Sequence, residues 1–255
     1  MTADRFSVAG RVAIVTGGSR GIGRALCEGL AAAGARVVVA SRSLDDCQAT
    51  VDEIRAAGGE ALAVRADVGR QDDRVALVER AVAGFGQLDI LVNNAALLKP
   101  HVTAKVTEEE LDALLAVDLK GPVFLSQLAL PHLISSGHGS IVNVSALGAF
   151  QPMPGIGAYC AVKAAMVNWT STMAKEWTPR GVRVNALVPG PVATDMILPR
   201  DPAARQSFID EMGKNTLVGR IGQPEDLVGA LLFLASDASA FMTGRSLFLD
   251  GGMLA

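Results

Sequence analysis

Tyr159 and Lys163 lie four residues apart in the stretch YCAVK, and Ser145 precedes the tyrosine by fourteen positions. Positions i and i+4 share one face of a helix, so a phenol and an ammonium would sit side by side. A phenol with an ordinary pKa of ~10 is a poor base at neutral pH, and a nearby ammonium favours the phenolate. Lys163 is therefore expected to lower the pKa of Tyr159 and make it a usable acid and base. A hydroxyl such as Ser145, arriving from the end of a neighbouring strand, would hydrogen-bond a substrate oxygen on which charge develops during hydride transfer. Tyr159 is the only tyrosine in the chain.

A hydride needs a carrier, and the first part of the chain has the features to hold one. The stretch TGGSRGIG, residues 16 to 23, follows the apolar run RVAIV and opens the amphipathic stretch RALCEGLAAAG. Glycines there let the backbone approach a phosphate, and a helix N-terminus offers unpaired N–H groups and the positive end of a dipole. The next apolar run ends ASRS, so Ser41 stands where a carboxylate would grip the ribose hydroxyls of NAD, and Arg42 follows it. A guanidinium matches a 2′-phosphate through charge-assisted, forked hydrogen bonds. With Arg20 in the glycine loop, two cations could clamp that phosphate. The reading is NADP(H) preferred, with NAD(H) possible.

These side chains need a frame that brings strand ends together. Short apolar runs at 11–15, 36–40, 61–65, 89–93, 140–144, 182–188 and 246–250 alternate with longer stretches of helical spacing. Apolar runs of this kind suit strands buried on both faces. Strand alternating with helix gives the α/β fold class: one Rossmann-like, doubly wound domain over residues 1–255, with about seven mostly parallel strands and helices on both faces. Ligands in such folds lie beyond the carboxyl ends of the strands.

Taken together, these residues resemble the short-chain dehydrogenase/reductase family, whose members of this kind have about 250 residues, and the likeness covers nearly the whole chain. TGGSRGIG looks like the family's cofactor loop, which carries the role to Gly17, Ser19, Arg20, Gly21, Ile22 and Gly23. Asp67 and Val68 look like its adenine contact, and NNAA at 93–96, with Asn94 and Ala95, is similar to its NNAG. Ser145, Tyr159 and Lys163 match its catalytic residues. PGPVAT at 189–194 resembles the loop in which Pro189, Gly190, Val192 and Thr194 would meet the nicotinamide. The resemblance implies an NAD(P)-dependent oxidoreductase, commonly a homotetramer, in which Lys163 also binds the nicotinamide ribose. The helices at roughly 108–136 and 158–178 and the carboxyl-terminal tail are the expected subunit contacts, with a dimer as the alternative.

Two positions depart from the family pattern. Ala96 replaces its glycine, which removes backbone freedom beside the nicotinamide. In VDLKG, Asp118 occupies the position of a fourth catalytic residue, an asparagine. An ionised Asp118 near Lys163 would offset the ammonium's effect on Tyr159 and move the activity optimum up in pH; a protonated one could replace the lost donor.

On the substrate side, Leu147, Phe150, Met153, Ile156, Met196, Ile197 and Leu198 predict an apolar neighbourhood, with a lid over about 191–215. The expected substrate is a small, fairly apolar alcohol or ketone. Reduction of 3-oxoacyl thioesters is the alternative activity, and an NADP-binding sensor or scaffold the alternative of another class. With 26 acidic against 23 basic residues and no basic tract, nucleic acid is not an expected partner. Three cysteines without CxxC spacing and three scattered histidines predict neither disulfides nor a metal site. No signal-like start or long unbroken apolar run is present, so no membrane association is expected and a cytoplasmic location is.

Overall fold

The computed structural model describes residues 3–255. Seven strands form one sheet: β1 Val12–Thr16, β2 Arg36–Ser41, β3 Glu60–Arg65, β4 Ile90–Asn93, β5 Ser140–Val144, β6 Arg183–Pro189 and β7 Ser246–Leu249. All neighbours pair in parallel, in the order β3-β2-β1-β4-β5-β6-β7. Helices α1 Gly21–Ala32, α2 Leu44–Ala56, α3 Gln71–Phe85, α4 Glu108–Leu115, α5 Gly121–Ser136, α6 Gly157–Trp177, α7 Pro202–Lys214 and α8 Val228–Ala235 make up the rest of the frame.

Side chains alternate across a strand, and a sheet covered on both faces is apolar at most positions. In β1, Ala13 and Val15 face a core shared with Leu26 and Leu30 of α1 and Leu231 and Leu234 of α8. Val12 and Ile14 face the opposite core, shared with Leu77 of α3, Leu125 and Leu133 of α5 and Met166 of α6. This explains the unbroken apolar runs. Strand order reverses between β1 and β4, where the chain leaves β1 toward β2 on one side and later returns on the other. A crevice opens at such a point, at the carboxyl ends of the strands.

One expected element is divided. The helix anticipated over 108–136 is continuous in direction, but residues Ala116–Lys120 form a π-helical turn between α4 and α5. Apolar periodicity cannot reveal an extra residue in one turn, because the stripe resumes on either side. The stretch Glu108–Ser136 is long and apolar enough by composition to cross a membrane, yet Leu125, Ala129 and Leu133 on its inner side are core residues.

Candidate active site

A cleft of about 810 Å³ follows the carboxyl ends of β1, β2, β4, β5 and β6. Its floor begins at the turn from β1 into α1. Gly17 has φ of 65°, a region closed to most side chains, and a Cβ at Gly23 would stand 2.0 Å from the Gly17 carbonyl oxygen. The glycine loop is thus dictated by the close seating of α1 against the end of β1. Thr16 Oγ1 accepts from the backbone N–H groups of Asn94 and Ala95 at 3.0 Å each, and Asn94 Nδ2 donates to Thr16 O at 2.9 Å. These bonds lock the ends of β1 and β4 together, which fixes the loop beside NNAA. Ala96 lines the cleft, and no residue other than glycine has positive φ among those described, so its methyl brings no backbone strain.

Gly17, Ser19, Arg20, Gly21, Ile22, Gly23, Ser41, Arg42, Asp67, Val68, Asn94 and Ala95 all border the cleft. Arg20 and Arg42 are exposed, and neither side chain makes a hydrogen bond or ion pair among the described residues. Ser41 is engaged differently: its Oγ donates to Ser43 O at 3.0 Å and lies 3.1 Å from Cys47 Sγ. The hydroxyl folds back to shape the turn into α2, which leaves Arg42 as the group at that position free to meet a ligand. Across the cleft, Pro189, Gly190, Val192 and Thr194 continue the wall from β6.

Ser145 follows β5, anchored by its N–H donating to Leu187 O at 2.8 Å. Its Oγ is buried without a protein partner. A buried hydroxyl with no partner costs free energy unless something else meets it, and it borders the cleft beside Tyr159. Both Tyr159 and Lys163 project from the first turns of α6, with the ammonium 5.5 Å from the centre of the phenol ring. Lys163 Nζ donates to Val144 O at 3.1 Å and stands 3.1 Å from Asp118 Oδ1. Asp118 is wholly buried, and its Oδ2 accepts from the Leu97 N–H at 3.0 Å.

The electrostatics differ from the expectation that the ammonium alone sets the tyrosine. Burial pushes the Tyr159 phenol up; Lys163 draws it back down, while Asp118 and Cys160 push it further up, and the net direction is upward. Burial pulls the Lys163 ammonium down, but Tyr159 and Asp118 outweigh it and hold it above its ordinary value. The Asp118 carboxyl is raised by burial, against the pull of Lys163 and the Leu97 N–H. Sequence spacing brings Tyr159 and Lys163 together but carries no information about desolvation.

A buried polar chain that spacing did not single out holds α6 in place. Asn93 Nδ2 donates to Asn143 Oδ1 at 2.8 Å and to Ser126 Oγ at 3.1 Å, and Asn143 Nδ2 donates to Thr170 Oγ1 at 2.9 Å. It joins β4, β5, α5 and α6. Its signal is legible in hindsight: asparagines inside the buried runs DILVN and SIVNV require partners. Toward the substrate end, Leu97, Leu98, Leu147, Met153, Ile156, Met196, Ile197 and Leu198 border the cleft, joined by Phe208 and Met212 of α7 and by Met253. Phe150 instead packs at a tilt against Phe248, 4.7 Å between ring centres. Among the described residues, no group of three or more metal-ligating side chains comes together.

A parallel sheet with a glycine loop at its switch point and proton-transfer groups after β5 is the frame of a dinucleotide-dependent oxidoreductase, and comparison with known proteins defines the class. A family model described as enoyl-(acyl carrier protein) reductase matches residues 17–254. Gluconate 5-dehydrogenase of Gluconobacter oxydans is 38% identical over 253 residues, covering 98% of this chain and 97% of the relative. A 3-oxoacyl-(acyl-carrier-protein) reductase of Synechocystis is 39% identical over 247 residues, with 96% and 97% covered. A solved gluconate 5-dehydrogenase from Burkholderia cenocepacia, in complex with NADP and tartrate, superposes with a TM-score of 0.92 at 36% identity, covering 100% of this chain and 99% of that one. The chain belongs to the short-chain dehydrogenase/reductase family and is an oxidoreductase acting on secondary alcohol and keto groups.

Proposed function

We propose that this protein is an NADP(H)-preferring reductase and dehydrogenase of a small, uncharged, apolar ketone and its secondary alcohol. The observation that carries the reading is the contrast within one cleft: two unpaired arginines border one end, and a partnerless serine hydroxyl beside a tyrosine lies among apolar side chains toward the other. Arg20 and Arg42 would hold the 2′-phosphate, the glycine loop and the N-terminus of α1 the pyrophosphate, and Asp67 and Val68 the adenine. Pro189, Gly190, Val192 and Thr194 would seat the nicotinamide, with Lys163 on its ribose. When bound, the cofactor supplies or accepts the hydride. Ser145 donates a hydrogen bond to the carbonyl oxygen, and the Tyr159 O–H passes its proton to that oxygen; the resulting phenolate recovers a proton from solvent. Alcohol oxidation runs the same proton transfer backward and needs the phenolate at the start.

The apolar preference rests on what the substrate end lacks. The charged side chains at that end are Asp195 and Arg205, which pair with each other at 3.3 Å, and Arg205 Nε also donates to Pro199 O. A polyhydroxy acid of the gluconate kind would leave its carboxylate and several hydroxyls facing leucine, isoleucine and methionine, at ~1–3 kcal/mol for each polar group left unpaired. Residues 191–215, including α7, would close over the substrate as a lid, since Gly213 is the only buried residue of α7. Association into a tetramer or dimer through α4, α5 and α6 accompanies this reading.

The 3-oxoacyl thioester alternative draws on relatives with that activity in their names. A substrate panel separates the two: NADPH oxidation should be fastest with uncharged cyclic or aryl ketones, and slower with 3-oxoacyl thioesters and with keto acids. Fastest turnover of a polyhydroxy keto acid would refute the apolar assignment.

A further inference from the structure

Asp118 touches two parts of the site at once. One carboxylate oxygen lies 3.1 Å from the Lys163 ammonium, and the other accepts from the Leu97 N–H at 3.0 Å. Leu97 and Leu98 form part of the substrate wall. In the loop after β4, Ala95 N–H is tied to Thr16, Leu97 N–H is tied to Asp118, and Leu98 N–H has no backbone or side-chain acceptor among the described residues. The wall packs on Leu114, Tyr159 and Val162, and its hydrogen bond to the interior of the fold at Leu97 is to a carboxylate. Asp118 is itself carried by the π-helical turn Ala116–Lys120, a local geometry that is rare and frequent at functional sites. Leu114, one turn earlier, packs with Tyr159 and Val162, so this side of the helix faces the tyrosine.

We propose that Asp118 is a positioning residue with two separable roles: its charge sets the proton affinity of the Lys163–Tyr159 pair, and its second oxygen anchors the Leu97 wall against which the substrate packs. The inference rests on the reading above of Tyr159 as the proton donor and acceptor. An ionised carboxylate against Lys163 neutralises part of the field that would otherwise favour the phenolate, which keeps the phenol protonated to higher pH. The groups acting on the pair are few. From α6 come Lys163 and Tyr159, with Cys160 acting on the tyrosine. β5 offers the Val144 carbonyl and the loop offers the Leu97 N–H, while Lys120, the other charge of the π-helical turn, is exposed.

The two roles part in two variants. Asp118→Asn removes the charge but keeps an oxygen for Leu97; Asp118→Ala removes both. With NADP⁺ and an apolar secondary alcohol, kcat/KM for oxidation should rise with pH to a plateau, because the phenolate is required, while ketone reduction should stay level until the phenol ionises. In Asp118→Asn the oxidation limb should move down by about one pH unit, with the KM for ketone unchanged. In Asp118→Ala the limb should move likewise and KM should also rise about 3- to 10-fold. A limb that stays at its parental pH in Asp118→Asn overturns the charge role, and a parental KM in Asp118→Ala overturns the anchor.

Removing a partner of a buried ammonium can prevent folding, so the anchor has a second test in the unaltered protein. The Leu97 amide should exchange with solvent at least tenfold more slowly than that of Leu98; equal rates overturn it. Tyr159→Phe, run alongside, distinguishes the two levels. Full turnover by Tyr159→Phe removes the underlying reading, whereas an inactive Tyr159→Phe with an unmoved Asp118→Asn limb removes only the charge role.

Discussion

The two ends of the cleft are built on opposite physical terms. At the end beside β1 and β2, the Arg20 and Arg42 side chains are exposed and unpaired among the described residues, on turns shaped by the backbone and by a hydroxyl bond from Ser41. At the catalytic end, Lys163, Asp118 and Ser145 are almost wholly buried, and each is held by a strand end or helix fixed through a polar network. An exposed cation acts through a screened field and can tolerate motion. A buried pair acts through a strong field and requires exact satisfaction of each polar atom. In the proposed function, phosphate recognition falls to the exposed arginines and proton transfer to the buried groups that border the cleft.

The largest break in this comparison should come from Tyr159→Phe, which removes one oxygen from the buried end. Turnover should fall about 10²- to 10⁴-fold while NADPH still binds, as read by nicotinamide fluorescence; loss of binding in proportion to turnover would place the tyrosine in cofactor binding instead. Next comes the frame of that end. Asn143→Ala takes one hydrogen bond each from Asn93 and Thr170, which keep Ser126 and the Met166 carbonyl, and should lower unfolding free energy by about 1–3 kcal/mol in urea melts. No loss of stability would mean that the network is not what fixes α6. The smallest effect belongs to the mouth of the substrate end, where Arg205 and Asp195 are both substantially exposed. Arg205→Ala should change KM for an apolar ketone by no more than about threefold, and a larger loss would show that the arginine touches substrate.

The glycine loop between β1 and α1 and the placing of Arg20, Ser41 and Arg42 on the cleft were legible in the sequence, because a glycine loop between strand and helix and the residues that end a strand are local patterns. The strand runs at 36–40 and 140–144 were equally readable, since a strand buried on both faces is mostly apolar and β-branched, with Asn143 the polar residue that interrupts the second. Less of the catalytic end could be read. The pairing of Tyr159 with Lys163 follows from i, i+4 spacing, but the upward net direction of the phenol follows from burial, a property of the assembled fold. The π-helical turn that presents Asp118 leaves no mark on hydrophobic periodicity, and the Asp118 to Leu97 bond joins residues 21 apart in the chain. Ser41 was read as standing where a carboxylate would grip the ribose of NAD; its hydroxyl is engaged within its own turn, with Ser43 and Cys47, a local bond that the sequence pattern does not reveal.

The division between the two ends is tested most directly by coenzyme selectivity. With an uncharged ketone held saturating, kcat/KM for NADPH and NADH should be compared in the parent and in Arg20→Ala/Arg42→Ala, at low and high salt. The parent should prefer NADPH, and the double variant should lose about tenfold or more for NADPH with little change for NADH and with kcat preserved. Equal losses for both coenzymes, or a fall in kcat alone, would contradict a 2′-phosphate clamp at the open end.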